Sequence, residues 1–230
     1  VDFCDSHGLM RFTDRPQWRS VKGGSRAYVD KLSRAIGDGV RAGRGVAGIR
    51  REPFGVTVRE GRGREEWFDH VVVATHADQA LGLLADADAR EREVLGAFRY
   101  SKNLAVLHTD TAMMPTKRAW WSAWNYLGRT GDHSEATVTY WMNKLQKLKT
   151  STPMLVTLNP PERLALKGEI RRDLYEHPIF NLAAMAAQKQ LWSLQGRGGV
   201  WFCGAYFGSG FHEDGLQSGL AVAEAIGGVR

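Results

Sequence analysis

The sequence predicts a mixed fold, α/β with α+β character, and three observations lead to it. Two short, wholly apolar runs at residues 71–74 (Val-Val-Val-Ala) and 200–203 (Val-Trp-Phe-Cys) have the make-up of strands buried on both faces. Strand-like runs recur at 104–107, 137–141 and 154–158, which suggests a second, sheet-containing unit. Helix-like stretches separate these runs, so strands and helices share the chain rather than dividing it into an all-α and an all-β part.

Each element has a local reason. Ser25 stands where a cap is needed before a helix carrying Tyr28, Val29, Leu32 and Ile36 on one side, and Gly37 and Gly39 end it. Val56 and Val58, followed by the turn EGRGREE, alternate as a hairpin does. From about Ala80 to Arg99 the chain is charged and helical in texture. The segment RAWWSAWNYLGRTGD is too irregular for a helix face. It concentrates Trp120, Trp121, Trp124 and Tyr126, which suit core packing and a pocket wall equally well. A helix is expected in NLAAMAAQKQLWSL, a break at GRGG, and then the second apolar strand.

The chain of 230 residues is 43% apolar, enough for a substantial core in one large domain or two smaller ones. It carries no run of eighteen apolar residues and no signal-peptide pattern, which points to an intracellular, cytoplasmic protein. Cys4 and Cys203 lie far apart, outside any zinc-ligand spacing, and read as buried thiols. No metal is expected, because no His pair has ligand spacing. No G-x-S-x-G elbow marks a serine hydrolase either. The net charge of +6 is spread among acids rather than gathered in blocks, so no nucleic-acid partner is expected. A solvated basic surface explains it, and attraction to anionic substrates or a lipid surface stays open. The opening FCDSHGLMRF, without a start methionine, reads like the middle of a domain and suggests a fragment or processed chain.

The hexapeptide GRGVAG, residues 43–48, has the spacing of a dinucleotide-binding fingerprint. That fingerprint works where a turn opens a helix whose amides meet a pyrophosphate. Here Pro53 and Gly55 follow shortly after Gly48 and oppose a helix, so the segment is expected to be turn and strand. The ending GAYFGSGFHEDGLQSGLAVAEAIGG is more telling. An apolar strand meets a glycine-rich loop, and Glu213 and Asp214 precede a helix expected to open at Gly215. Gly215, Gly219 and Ala223 then put small residues on one face, where a sheet, a helix or a flat ring can approach. The amides of Gly215 and Leu216 would favour partial negative charge before the helix, as at a reduced flavin. A capped helix closing an α/β domain accounts for the same residues.

Three segments in order, VKGGSRAYVDKL, the pair GRGVAGIRR and FDHVVVATHADQAL, and WFCGAYFGSGFHEDGLQSGLAVAEAI, resemble the flavin-dependent amine oxidase superfamily of monoamine oxidases and phytoene-desaturase-like enzymes. RAWWSAWNY, VTYWMNKLQ, LVTLNPPE and GFHEDG resemble its bacterial branch of NAD/FAD-binding, amine-oxidase-like proteins. The resemblance covers nearly the whole chain but only the C-terminal half of such proteins, since the family's N-terminal fingerprint has no counterpart here. It implies part of a Rossmann-like FAD-binding domain at 1–79 and 186–230, interleaved with a substrate domain at 80–185. FAD would be held by Val46 at the adenine, by Thr75 near the pyrophosphate, by Asp214 at the ribityl or phosphate portion, by Gly215 and Leu216 through amides near the ring, and by Gly204 through close backbone approach. The missing N-terminal half would complete the site.

The implied activity is hydride transfer from a substrate carbon to flavin N5, on a small molecule that is an amine or an apolar, lipid-like compound. Trp121, Trp124, Tyr126 and Tyr206 are the expected substrate wall, although Tyr206 could equally pack beneath its loop. Many relatives carry a lysine on a substrate-domain strand. Strand phase puts Asn103 there, which moves the expectation from amine oxidation toward dehydrogenation or isomerisation of an apolar substrate. His212 could move a proton or serve structure. His76, and His108 with Asp110, read as satisfied surface histidines. The rival reading is a non-catalytic binding module that keeps the flavoprotein fold.

Overall fold

The computed structural model describes residues 13, 14, 19, 21–129, 132–161 and 165–229. In chain order its elements are α1 (Arg26–Ile36), β1 (Val46–Glu52), β2 (Gly55–Glu60), β3 (Glu65–Phe68), β4 (Val71–Val73), α2 (Ala77–Leu83), α3 (Ala89–Gly96), β5 (Arg99–His108), β6 (Trp124–Arg129), β7 (Asp132–Trp141), α4 (Met142–Leu145), β8 (Leu155–Leu158), β9 (Glu169–Ile179), α5 (Leu182–Gln188), β10 (Val200–Phe202) and α6 (His212–Ala225). They form two compact units, one of residues 1–99 and 178–230 and one of residues 100–177. Cys4 lies outside the described residues.

The two units divide at 99 and 177, whereas the resemblance implies domain bounds at 79 and 185. The reason lies in the first unit's packing. Leu84, just after α2, bridges to Ile49 of β1, and the Ala85 N–H donates to the Ile49 carbonyl at 2.9 Å. Buried Val94 and Leu95 of α3 and Ala184 and Ala187 of α5 add to the same core.

Within the first unit, β1, β2 and β3 form an antiparallel ribbon in that order, so GRGVAG runs from turn into strand as expected. Gly37 takes a left-handed φ of 64° and ends α1. Ser25, expected to cap that helix, makes no side-chain cap bond, and every residue of α1 is at least partly exposed. Parallel pairing joins β10 to β4, with Val200 opposite Val71 and Phe202 opposite Val73. Val200 and Phe202 are fully buried, whereas Val72 is exposed. The run at 71–74 is therefore not covered on both faces, because an open cavity borders it.

A clasp of charges ties this unit together. The Glu91 carboxylate is 1% exposed and pairs with the Arg51 guanidinium. Arg51 also binds Asp86 at 3.0 Å, and its Nε donates to the Arg197 carbonyl at 3.0 Å. Arg197 reaches Asp88, and Asp88 and Glu91 cap α3 reciprocally.

The second unit is a five-stranded sheet in the order β6-β7-β8-β5-β9. Strands β6, β7, β8 and β5 pair antiparallel, with Tyr126 opposite Val138, Val138 opposite Leu158, and Leu158 opposite Ala105. Side chains alternate across the sheet, so this register sorts its residues into two faces. The inner face carries Leu155, which clusters with Met114, Trp121 and Trp141. A buried polar row crosses the same face. Asn125 donates to the Thr139 carbonyl at 3.3 Å, Thr139 and Thr157 share a hydroxyl hydrogen bond of 2.9 Å, and Thr157 meets His108 Nε2 at 2.7 Å.

Candidate functional site

Two surfaces gather the expected site residues, one in each unit. In the first unit, a cavity of about 490 Å³ is lined by Val46 and Ile49 of β1, Val58 of β2, all of β4, Ala74, Thr75, and Gln79 and Leu83 of α2. Two of the expected cofactor residues, Val46 and Thr75, which lie on different elements, thus share one wall. Apart from Thr75 and Gln79 the lining is aliphatic, and it includes no lysine or arginine. Such a cavity fits the flat, weakly polar adenine end of FAD and offers no cation for its pyrophosphate.

The loop between β10 and α6 is held from three sides. Ser218 Oγ accepts from the Gly204 N–H at 3.0 Å and donates into the helix and loop carbonyls. Asp214 Oδ2 accepts from the Ser209 and Phe211 N–H groups at 3.0 and 2.9 Å. Gln188 Nε2 donates to the carbonyls of Tyr206 and Gly208 at 3.0 and 2.6 Å. Glycine is required at two points. A Cβ on Gly204 would stand 2.7 Å from the Tyr206 ring, and one on Gly208 would overlap the Asp214 carboxylate.

This geometry corrects several expectations. Helix α6 starts at His212, not Gly215, and the Gly215 N–H already donates to the Phe211 carbonyl at 3.2 Å. Gly215 and Leu216 lie inside the first turns, so the amides left for a partner belong to the residues before them. The Asp214 carboxylate closes its own loop as an N-terminal cap, with Oδ2 taking both backbone donors. Tyr206 is 2% exposed and packs edge-on to Phe98 at 5.4 Å between ring centroids, so it supports the loop from beneath instead of lining a wall. His212 is exposed, its ring edge-on to Tyr28 of α1 at 6.4 Å. Cys203 is buried as expected, and burial pushes its thiol pKa up.

In the second unit, the outer face of the sheet brings together residues that sequence reasoning had only grouped by type. Trp124 and Tyr126 of β6, Tyr140 of β7, Val156 of β8, and Asn103, Ala105 and Leu107 of β5 all share it by register. Trp124 is 52% and Tyr126 64% exposed. A groove of about 350 Å³ runs over Ala105, Leu107 and Val156 and along Arg171, Asp173 and Tyr175 of β9. Trp121 is not part of this wall. It is 9% exposed, belongs to the inner core, and its indole N–H donates to the Pro115 carbonyl at 2.7 Å.

Asn103 sits in a polar network. Its Nδ2 lies 3.0 Å from the Ser101 carbonyl and 2.9 Å from His177 Nδ1, while its Oδ1 accepts from Asn159 at 2.9 Å. His177 was missed in the sequence, where its only signal is phase: it stands two residues beyond Tyr175 on an exposed strand. His108 is not at the surface. It is fully buried, its Nδ1 accepts from the Asp110 N–H at 3.1 Å, and desolvation lowers its pKa against the opposing pull of Asp110 and Glu169. Among the described residues no cluster of three or more His, Cys, Asp or Glu could hold a metal ion, and no helix is long and apolar enough to cross a membrane.

Residues 2–160 match the family described as flavin containing amine oxidoreductase. Among solved structures, the chain is similar to the CLA-producing fatty acid isomerase from P. acnes, with 13% identity, a TM-score of 0.64, and 89% of this chain covering 52% of that one. It is also similar to a putrescine oxidase bound to putrescine, with 13% identity, a TM-score of 0.61 and coverages of 89% and 53%. For cyclohexylamine oxidase from Brevibacterium oxydans IH-35A the values are 16%, 0.58, 88% and 52%. At these identities the likeness is one of fold, and it agrees with the mixed α/β architecture expected from the sequence. The chain spans about half the length of these structures. The search of curated proteins returned no match.

Proposed function

Because the chain belongs to the flavin-containing amine oxidoreductase family, we propose that it forms part of an FAD-dependent oxidoreductase acting on a small molecule with an apolar body. The observation that carries this reading is the convergence of Val46 and Thr75 on one aliphatic cavity in the first unit. FAD, when bound, supplies the hydride acceptor at N5, and the protein supplies binding, orientation and electrostatics.

On this reading the adenine end rests against Val46, Val72 and Thr75 in that cavity. The loop at 204–211, held by hydrogen bonds from Ser218, Asp214 and Gln188, gives the cofactor a preorganised backbone surface. Trp124, Tyr126 and Tyr140 supply an aromatic surface for the substrate body, and their exposure on one sheet face supports that role. Within the first unit His212 would serve proton transfer, and within the second Asn103 would serve as an oriented amide. The remainder of the flavin site would come from a segment equivalent to the other half of the similar structures.

Visible absorption of the purified protein tests the reading, measured for residues 1–230 and for a longer form, each before and after adding FAD. Flavin bands retained by the longer form after desalting support it. Absence of flavin from both forms overturns it and leaves the binding-module alternative.

A further inference from the structure

We propose that His177, held in one tautomer by Asn103, is a hydrogen-bond donor that selects ligands carrying a carboxylate on an apolar body. This rests on the reading above, that the outer sheet face of the second unit meets the substrate.

The tautomer follows link by link from one unambiguous donor. The Leu104 backbone N–H can only donate, so the Asn159 side-chain atom 2.9 Å away is its Oδ1. The other end of that amide, Nδ2, is a donor and faces Asn103 at 2.9 Å, so the atom it meets is Asn103 Oδ1. Asn103 must then present Nδ2 at its far side, where it meets the Ser101 carbonyl at 3.0 Å. A backbone carbonyl can only accept, which fixes the same orientation independently. The same Nδ2 lies 2.9 Å from His177 Nδ1. That nitrogen therefore accepts with its lone pair, and the ring proton stands on Nε2.

His177 is exposed, and no described residue accepts from its Nε2. Its neighbour on the same face is Tyr175, beside the groove floored by Ala105, Leu107 and Val156. Arg171, the cation along this groove, is already engaged by both carboxylate oxygens of Asp173. An apolar floor thus lies beside an exposed imidazole whose Nε2–H has no acceptor among the described residues. An alkylammonium carries donors and no acceptor, so it meets the His177 N–H donor to donor. By the lysine side chain's value near 10.4, simple alkylamines stay in that form at neutral pH. A carboxylate accepts.

The test uses the full-length protein, uniformly 15N-labelled, with octanoate and octylamine as probes. Long-range 1H–15N correlation should show an unprotonated Nδ1 and a protonated Nε2 for His177. Octanoate should shift the His177 signals at a concentration about tenfold or more below that needed by octylamine, the factor expected for a hydrogen bond to a charged group. His177→Leu should erase that preference, and Asn103→Ala should mix the tautomers. A protonated Nδ1 in the wild type, equal binding of both probes, or a preference that survives His177→Leu overturns the proposal. The visible spectrum of the same samples separates the two readings. Flavin retained by the longer form without octanoate preference sinks this proposal alone, and octanoate preference with flavin absent from both the 230-residue and the longer form sinks the oxidoreductase reading alone.

Discussion

Replacing Arg51 with methionine leaves the Glu91 carboxylate, 1% exposed, without its cation. Glu91 keeps a single backbone donor, the Asp88 N–H at 2.9 Å, which is too little to solvate a buried charge. Removing one partner of a buried pair costs about 3–5 kcal/mol, a large share of the roughly 5–15 kcal/mol that stabilises a domain. With a urea dependence of about 2 kcal/mol per molar, the unfolding midpoint of the first unit should fall by roughly 2 M. The assay is urea unfolding followed by amide exchange at Ile49 and Leu95, which report this unit. The double variant Arg51→Met with Glu91→Gln separates charge from packing. Glutamine still accepts from the Asp88 N–H and carries no charge, so the double variant should regain at least half of the loss. A single variant that costs under about 1 kcal/mol, or a double variant no more stable than the single one, refutes the view that the buried charge dominates.

Three further outcomes are expected. Burial lowers the folded-state pKa of His108, so the unfolded chain takes up the proton first. The second unit should hold its full stability above the ordinary histidine value of about 6.5 and lose it progressively as pH falls through the folded value, and His108→Gln should flatten that profile in urea titrations from pH 8 to 5. Asp214→Ala releases two backbone donors, at Ser209 and Phe211. It should cost about 1 kcal/mol, speed hydrogen exchange at both amides, and weaken flavin retention by the longer form. Gly198 sits at a φ of 57°, and a Cβ there would strike the Arg51 side chain, so Gly198→Ala should destabilise the first unit by more than 1 kcal/mol in thermal melts.

Local chemistry explains what was legible in the sequence. The strand reading of GRGVAG rested on Pro53 and Gly55, and β1 is a strand. The hairpin, the strand at 200–203 and the strands of the second sheet followed from alternation and short apolar runs. Misreadings arose where a neighbour distant in sequence decides the outcome. The run at 71–74 looked doubly buried because its composition carries no information on what covers it, and Val72 faces an open cavity. Trp121 and Trp124 are three residues apart and chemically alike, yet the strand begins only at Trp124, so alternation could not sort Trp121 to the core. The start of α6 was missed by three residues because its cap acts backwards, from Asp214 to Phe211, instead of from a Ser or Thr ahead of the helix. His177 owes its place to amide orientations set by Asn159, which no spacing rule encodes.

The buried row of Asn125, Thr139, Thr157 and His108 bears on how the second sheet chooses its pairing. Slipping β7 or β8 by one residue exchanges the two faces of that strand. Thr139 or Thr157 would then leave its partners, and Tyr140 or Val156 would enter the core opposite polar atoms with no acceptor or donor. An apolar sheet could absorb such an error by repacking, since one aliphatic residue replaces another at modest cost. Here the misaligned sheet both strands buried hydroxyls and breaks the imidazole contact. The row therefore works as a checksum on strand alignment, and it keeps the aromatic residues of β6 on the face where a ligand can reach them.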